Sequence, residues 1–297
     1  MKENEASATA YAVMQGLLYI GKQNLYPGLV AAETIAAGTG ILERSEEGRR
    51  RLKQLTSPVF RAMVPLMEFL MVPGLTLHYA LRKRYIEACV RQAIEAGYTQ
   101  CVNLGAGFDV LAWRLHKEHP KVNFIEIDHP ATSAEKTPAL EAMGIGENLK
   151  FLDVDFTTQT LLDRLGSMAE FQADRQTVFV CEGVISYLTE EEAGVLLKTL
   201  TNLCSAPTRL ICTCVVEPSS PENNIGPFLD LYLAIKGESL KWRINPSEVI
   251  KFFSQNGFYV AEIASPQDMK SRFIAGALKG KLHLAEYGLV ADAEMRR

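Results

Sequence analysis

An apolar run, Cys101-Val-Asn-Leu104, ends in Gly105-Ala-Gly107, and a second run about twenty residues on, Val122–Ile127, ends in Asp128. Between them Val110-Leu-Ala-Trp-Arg-Leu115 has the character of a helix start. In a parallel α/β sheet this arrangement builds a nucleoside site. The glycines let a ligand approach the backbone, the helix N-terminus offers free N–H groups, and an ionised acid accepts from ribose hydroxyls. A dinucleotide fingerprint, G-x-G-x-x-G, would require glycine at position 110, where this chain has Val110. Without that third glycine there is no dedicated pyrophosphate turn, and the expected ligand is a nucleoside without phosphates, such as S-adenosylmethionine.

The rest of the chain fits one α/β domain with an appendage. Residues 1–97 carry helical spacing: Ala31–Leu42 and Arg49–Leu55 read as short helices, and Pro65, Pro73 and Gly74 divide the apolar stretch Pro58–Leu81 into pieces. Tyr79–Ala96 reads as one helix, with Ile86, Val90 and Ile94 on one face. From residue 98 short apolar runs alternate with helical stretches: Cys101–Leu104, Val122–Ile127, Leu149–Val154, Val178–Cys181 and Leu210–Val216. Such alternation predicts a parallel, doubly wound sheet. Two later runs, Phe258–Ile263 and Leu282–Val290, are joined by Ala264–Lys281 with no clear long helix, and predict a closing antiparallel hairpin. Seven strands ending this way form a Rossmann-like class I methyltransferase sheet, with residues 1–97 as a helical cap and lead-in helix. An insertion near 218–245 interrupts the alternation; its Pro and Asn content predicts a loop, then a short helix after Pro227.

Composition excludes several classes. The 297 residues carry a net charge of −4, so no general attraction to nucleic acid is expected. The basic stretch Arg49–Lys53 follows Glu43, Glu46 and Glu47 and reads as a solvated helix face. The six cysteines show no C-x-x-C or zinc spacing, so reduced core thiols and a cytoplasmic protein without a metal are expected. Arg61, Glu68 and three prolines interrupt the most apolar region, which predicts a packed cap and no membrane span.

Arg82-Lys-Arg84-Tyr-Ile-Glu87, the Cys101–Asp109 passage, Trp113-Arg114-Leu115, Glu126-Ile-Asp128-His-Pro130 and Glu182-Gly-Val-Ile-Ser-Tyr187-Leu follow one another in order. Together they resemble the leucine carboxyl methyltransferase family, with its bacterial polyketide O-methyltransferase-like relatives, from about residue 79 to 200. The resemblance implies S-adenosylmethionine as cofactor. Gly105 and Gly107 would lie against its methionine portion and ribose, and Asp128, preferred over its neighbour Glu126, would take the ribose hydroxyls. Asp155 would accept from the adenine amino group while the Phe156 amide donates to a ring nitrogen; the alternative for Asp155 is a helix cap near Thr160–Leu165. Arg82 would grip the methionine carboxylate, with Arg84 next in line. Glu182 would meet the methionine end. Tyr187 either contacts the acceptor or packs, and packing is the expectation. His116 and His119 are expected to face solvent, Asp109 to satisfy helix N–H groups, and Trp113 and Arg114 to pack and pair beneath that helix.

Two departures bear on the acceptor: Val110-Leu111 stands where many bacterial relatives have Thr-Arg, and the usual Asp-Pro of the cap has no clear counterpart. The reaction implied is methyl transfer to a carboxylate or phenolic oxygen of a small molecule or peptide terminus. A carboxylate needs no base, a phenol does, and no histidine stands out in the sequence for that role, which favours the carboxylate. A nicotinamide-dependent oxidoreductase and a non-catalytic module on the same fold are the alternatives.

Overall fold

Seven short apolar segments pair into one sheet: β1 (Gln100–Leu104), β2 (Asn123–Asp128), β3 (Leu149–Asp153), β4 (Thr177–Cys181), β5 (Thr208–Val215), β6 (Phe258–Ala264) and β7 (Glu286–Ala293). The computed structural model describes residues 6–156, 158–274 and 285–293. Strand order is β3-β2-β1-β4-β5-β7-β6; β1 to β5 are parallel, and β7 inserts antiparallel to both β5 and β6. The last run, expected over Leu282–Val290, begins among residues outside those described; the strand itself is Glu286–Ala293.

The cap comprises α1 (Ala8–Gln23), α2 (Ala32–Leu42), α3 (Glu46–Thr56) and α4 (Pro58–Met71), followed by the long α5 (Leu75–Glu95). Then come α6 (Leu111–Glu118), α7 (Pro130–Ala142), α8 (Leu161–Gly166) and α9 (Glu190–Leu203) between strands. After β5 lie α10 (Pro227–Lys236) and α11 (Pro246–Gln255), and α12 (Pro266–Phe273) lies between β6 and β7. The insertion therefore opens as a loop, and its helix starts at Pro227 with Gly226 as the cap residue, as its composition indicates.

Side-chain alternation sorts the strands' apolar residues into two cores. Cys101, Phe124, Val178, Ile211 and Val290 face α5, α6 and α7, with α1 and α2 outside them. Val102, Ile125, Phe179, Leu210 and Leu289 face α8, α9 and α11. Cys212 and Cys214 share this second core, and all six cysteines are free thiols.

Pro65 does not divide the apolar stretch. Helix α4 runs through it and stops only at Val72-Pro73-Gly74, where Gly74 takes φ +81°. A proline leaves the carbonyl four residues earlier without its helical donor. Here that carbonyl, of Arg61, accepts from the Tyr19 hydroxyl at 3.4 Å. Among the described residues no single helix is long and apolar enough to cross a membrane.

Candidate active site

The strand order reverses direction between β1 and β4, and in open α/β sheets the crevice at such a switch point is where ligands bind. A cavity of about 670 Å³ opens there. Register sets its floor. Leu104 pairs with Ile127, and the Ala106 amide donates to the Ile127 carbonyl at 3.1 Å, so the glycine turn lies beside Asp128. Gly105 and Gly107 adopt φ +62° and +52°, a region that side-chain-bearing residues rarely occupy. At Gly105 there is no room for a Cβ, which would stand 2.4 Å from Val184 Cγ2.

Asp128 is held in place from two sides. Its Oδ2 accepts from the Gly107 amide at 2.5 Å and its Oδ1 from the His129 amide at 2.7 Å. Burial raises its pKa, and these two amides work against that rise. The cap of α7 is His129, whose ring accepts from the Ala131 amide, so Asp128 is free of capping duty. Its rival Glu126 is buried in an ion pair with Lys136 at 2.7 Å and does not line the cavity. Asn103 does line it, and its buried Nδ2 has no partner among the described residues.

Next to this floor is a buried ionic cluster. Arg82 pairs through Nη2 with Glu182 at 2.7 Å and through Nη1 with Glu286 at 2.6 Å. Lys83 pairs with Glu182 at 2.8 Å and Asp109 at 3.1 Å. His78 Nε2 lies 2.8 Å from the same Glu286 oxygen that Arg82 holds. Burial would push the Glu286 carboxyl up, but Arg82 and His78 hold it well below the usual carboxylate range. Burial likewise opposes the charge on Lys83, yet Asp109 and Glu182 raise its pKa; Asp109, buried too, is pulled down chiefly by Lys83. The cluster sets two cations against three carboxylates and is electronegative while His78 is neutral.

Of the residues singled out in the sequence, Arg82, Gly105, Gly107, Asp128, Glu182 and Tyr187 all line this cavity. Asp155 and Phe156 do not; they follow β3, one strand beyond Asp128, and Phe156 is 54% exposed. Asp155 is not the cap of α8, a place taken by Thr160, whose side chain accepts from the Asp163 amide. Arg84 points to Glu87 instead of the cavity. Tyr187 is half-buried, with its hydroxyl 3.2 Å from Thr9 Oγ1, and desolvation pushes its pKa up to about 12.

Asp109 accepts from the Leu111 amide, as expected of a residue at a helix start, and Arg114 pairs with Glu87 beneath the helix. Of the two histidines of α6 and its end, His116 is not solvent-facing and His119 is half-buried. His116 is 3% exposed and its Nε2 accepts from the Gly146 amide at 3.0 Å, while His119 Nε2 is buried. A turn packed across the helix needs that acceptor, which helical spacing alone does not disclose. Among the described residues no group of three His, Cys, Asp or Glu side chains is placed to hold a metal ion.

The other side of the cavity is apolar. Val13 and Leu17 of α1, Met67 and Met71 of α4, and Leu229 and Leu233 of α10 form its walls. Helix α1 is pinned across the glycine turn: Glu238 accepts from the Ala8 and Thr9 amides at 2.9 and 3.0 Å, and Tyr11 donates to Glu135 at 2.6 Å. Ala10 lies directly above Gly107. His78, Lys83, Asn103, Glu238 and Glu286 were not singled out from the sequence. A polar residue inside an apolar run is a usable signal for Asn103 and Glu286; His78, Lys83 and Glu238 lack a comparable one.

Comparison with known proteins agrees with this geometry. The model of the family described as leucine carboxyl methyltransferase matches residues 46–201, just over half of the chain. A Mycobacterium ulcerans relative named for S-adenosyl-L-methionine-dependent methyl transfer is 29% identical over 164 residues, covering 55% of this chain and 51% of its own length. The chain thus spans about half the length of such a curated relative. The fold is shared with a Thermobifida fusca protein classed by name as a methyltransferase (TM-score 0.61, 14% identity, 99% and 97% of the two chains covered). A DUF574 family protein of Streptomyces avermitilis is similar (TM-score 0.59, 15% identity, 98% of each chain).

Proposed function

The chain belongs to the leucine carboxyl methyltransferase family, and on that premise we propose that it is an S-adenosylmethionine-dependent O-methyltransferase acting on a small-molecule or peptidyl acceptor. The observation that carries this reading is the Asp128 carboxylate fixed against the Gly107 amide beside an electronegative cluster. A carboxylate has about four acceptor sites, so two amide bonds leave capacity for ribose hydroxyls. Two cations facing three carboxylates favour a sulfonium and repel the pyrophosphate of a dinucleotide.

In this reading the methionine end meets Glu182 and Arg82. One N–H on each terminal nitrogen of Arg82 is committed to a carboxylate, and its buried Nε has no partner among the described residues. Donors therefore remain for the cofactor's carboxylate. Asp155 and Phe156 are assigned the adenine edge on their position after β3. Transfer is an in-line displacement at the methyl carbon, and the sulfonium charge disappears as the C–S bond breaks. The apolar walls from α1, α4 and α10 exclude water and align the acceptor.

A thermal-shift titration tests the reading against its nicotinamide rival. S-adenosylhomocysteine is expected to raise the melting temperature progressively with concentration, and NADH is not. Stabilisation by NADH alone would overturn it.

A further inference from the structure

Among the cavity side chains that the binding roles above leave unused is His78. His78 is 1% exposed and lines the cavity, and its Nδ1 has no hydrogen-bond partner among the described residues. A buried polar nitrogen without a partner is costly and calls for an explanation. We propose, building on the methyltransferase reading, that His78 is the general base of the transfer, oriented by Glu286, and that the acceptor is a phenol or enol hydroxyl.

The geometry defines the base. An ionised carboxylate only accepts, so the 2.8 Å contact between His78 Nε2 and Glu286 Oε2 is an N–H donation from the ring. In the neutral ring this leaves the lone pair on Nδ1, the atom without a partner. His78 lies four residues before Arg82 on α5, about one helical turn away, and both hold the same Glu286 oxygen. His78 thereby lines the cavity one turn from the proposed methionine end. The charged groups around it are Glu286 on β7 and Arg82 on its own helix, with Glu182 beyond Arg82.

Charge argues for a hydroxyl as well. With a sulfonium bound, the two cations and three carboxylates of the cluster are balanced. A carboxylate acceptor beside His78 would add an anion next to Glu286 and Glu182, whereas Arg50 and Arg51, which also line the cavity, share the one carboxylate of Glu47 and are not part of this cluster. A neutral hydroxyl adds none. Tyr79, Tyr187 and Tyr232 line the cavity with the apolar side chains and suit an aromatic body. In the step itself, the acceptor O–H passes its proton to Nδ1 as the oxygen bonds to the methyl carbon. The C–S electron pair goes to sulfur, leaving a neutral thioether. Glu286 stabilises the imidazolium, whose proton returns to water after the product leaves.

The experiment uses labelled S-adenosylmethionine with two probes of matched apolar body, biphenyl-4-ol and biphenyl-4-carboxylate, alongside calorimetry with S-adenosylhomocysteine. Wild type is expected to methylate the phenol. His78→Asn is expected to bind S-adenosylhomocysteine within about threefold of wild type and to lose phenol turnover by about 100-fold or more, the usual scale of general-base catalysis. Phenol turnover kept within about threefold in that variant overturns the proposal, as does a cofactor-binding wild type that methylates only the carboxylate or neither probe. If wild type does not bind S-adenosylhomocysteine, it is the methyltransferase reading that fails. If His78→Asn loses cofactor binding, the wild-type pH profile decides. A base makes phenol turnover level off well below the phenol's own pKa near 10; without one, turnover climbs about tenfold per pH unit toward that pKa, and the proposal falls.

Discussion

Asp128 and Gly107 are joined by a 2.5 Å hydrogen bond from the glycine amide to the carboxylate, so the loop after β1 and the acid closing β2 form one unit before any ligand arrives. The neighbouring Gly105 shares the strained turn at φ +62°. Gly105→Ala is expected to lose about 1–2 kcal/mol for the left-handed backbone, and more from the Val184 contact, with cofactor affinity reduced as well. Gly144→Ala, at φ +89° with open space around it, is the control. It should lose similar backbone energy and leave S-adenosylhomocysteine affinity unchanged, as read by denaturant titration and calorimetry.

Arg82 joins two carboxylates from distant parts of the chain, Glu182 after β4 and Glu286 on β7. Removing one partner of a buried ion pair leaves the other charge uncompensated, at a cost of about 3–5 kcal/mol. Arg82→Met is therefore expected to lower stability by that order and to weaken S-adenosylhomocysteine binding by more than about tenfold. Urea denaturation checks the first effect and calorimetry the second.

Glu286 gives the cluster a pH dependence. Its pKa is held below that of the unfolded chain, so the native state binds fewer protons in acid and stability falls as pH falls. The contribution is complete above the ordinary carboxylate range, near pH 4–5, and is lost progressively below it. Glu286→Gln should flatten the stability profile below about pH 4.5 relative to wild type, as measured by denaturation at a series of pH values. Equal slopes would remove Glu286 from the acid response.

Glu238 fastens the start of α1 over the glycine turn by accepting from the Ala8 and Thr9 amides. Its loss should resemble the loss of a helix cap, about 1–2 kcal/mol. Glu238→Ala is expected to speed hydrogen exchange at Ala8 and Thr9 while leaving the β1 and β4 amides protected. Uniform exchange across α1 and the sheet would contradict this local role.

Much of the fold was legible because its signals are local. Runs ending in Gly105-Ala-Gly107, Asp128 and Glu182 each announce a strand and its carboxyl end, and parallel pairing brings those ends together. Glu286 was not legible as a site residue: it reaches Arg82 only because β7 inserts beside β5, 204 positions along the chain. His78 was missed for a boundary reason. The periodic pattern suggested a helix from Tyr79, but Gly74 caps α5 earlier and brings His78 into the helix, one turn before Arg82. Pro65 misled because the compensating Tyr19 hydroxyl comes from another helix.

The central claim is that the glycine turn and Asp128 hold an adenosyl cofactor. Calorimetry of S-adenosylhomocysteine on wild type and Asp128→Ala measures it most directly. One-to-one binding by wild type, weakened at least about tenfold by the substitution, is the expected result, since two charge-assisted hydrogen bonds are lost. Absence of binding to wild type, or equal affinity in the two proteins, would contradict it.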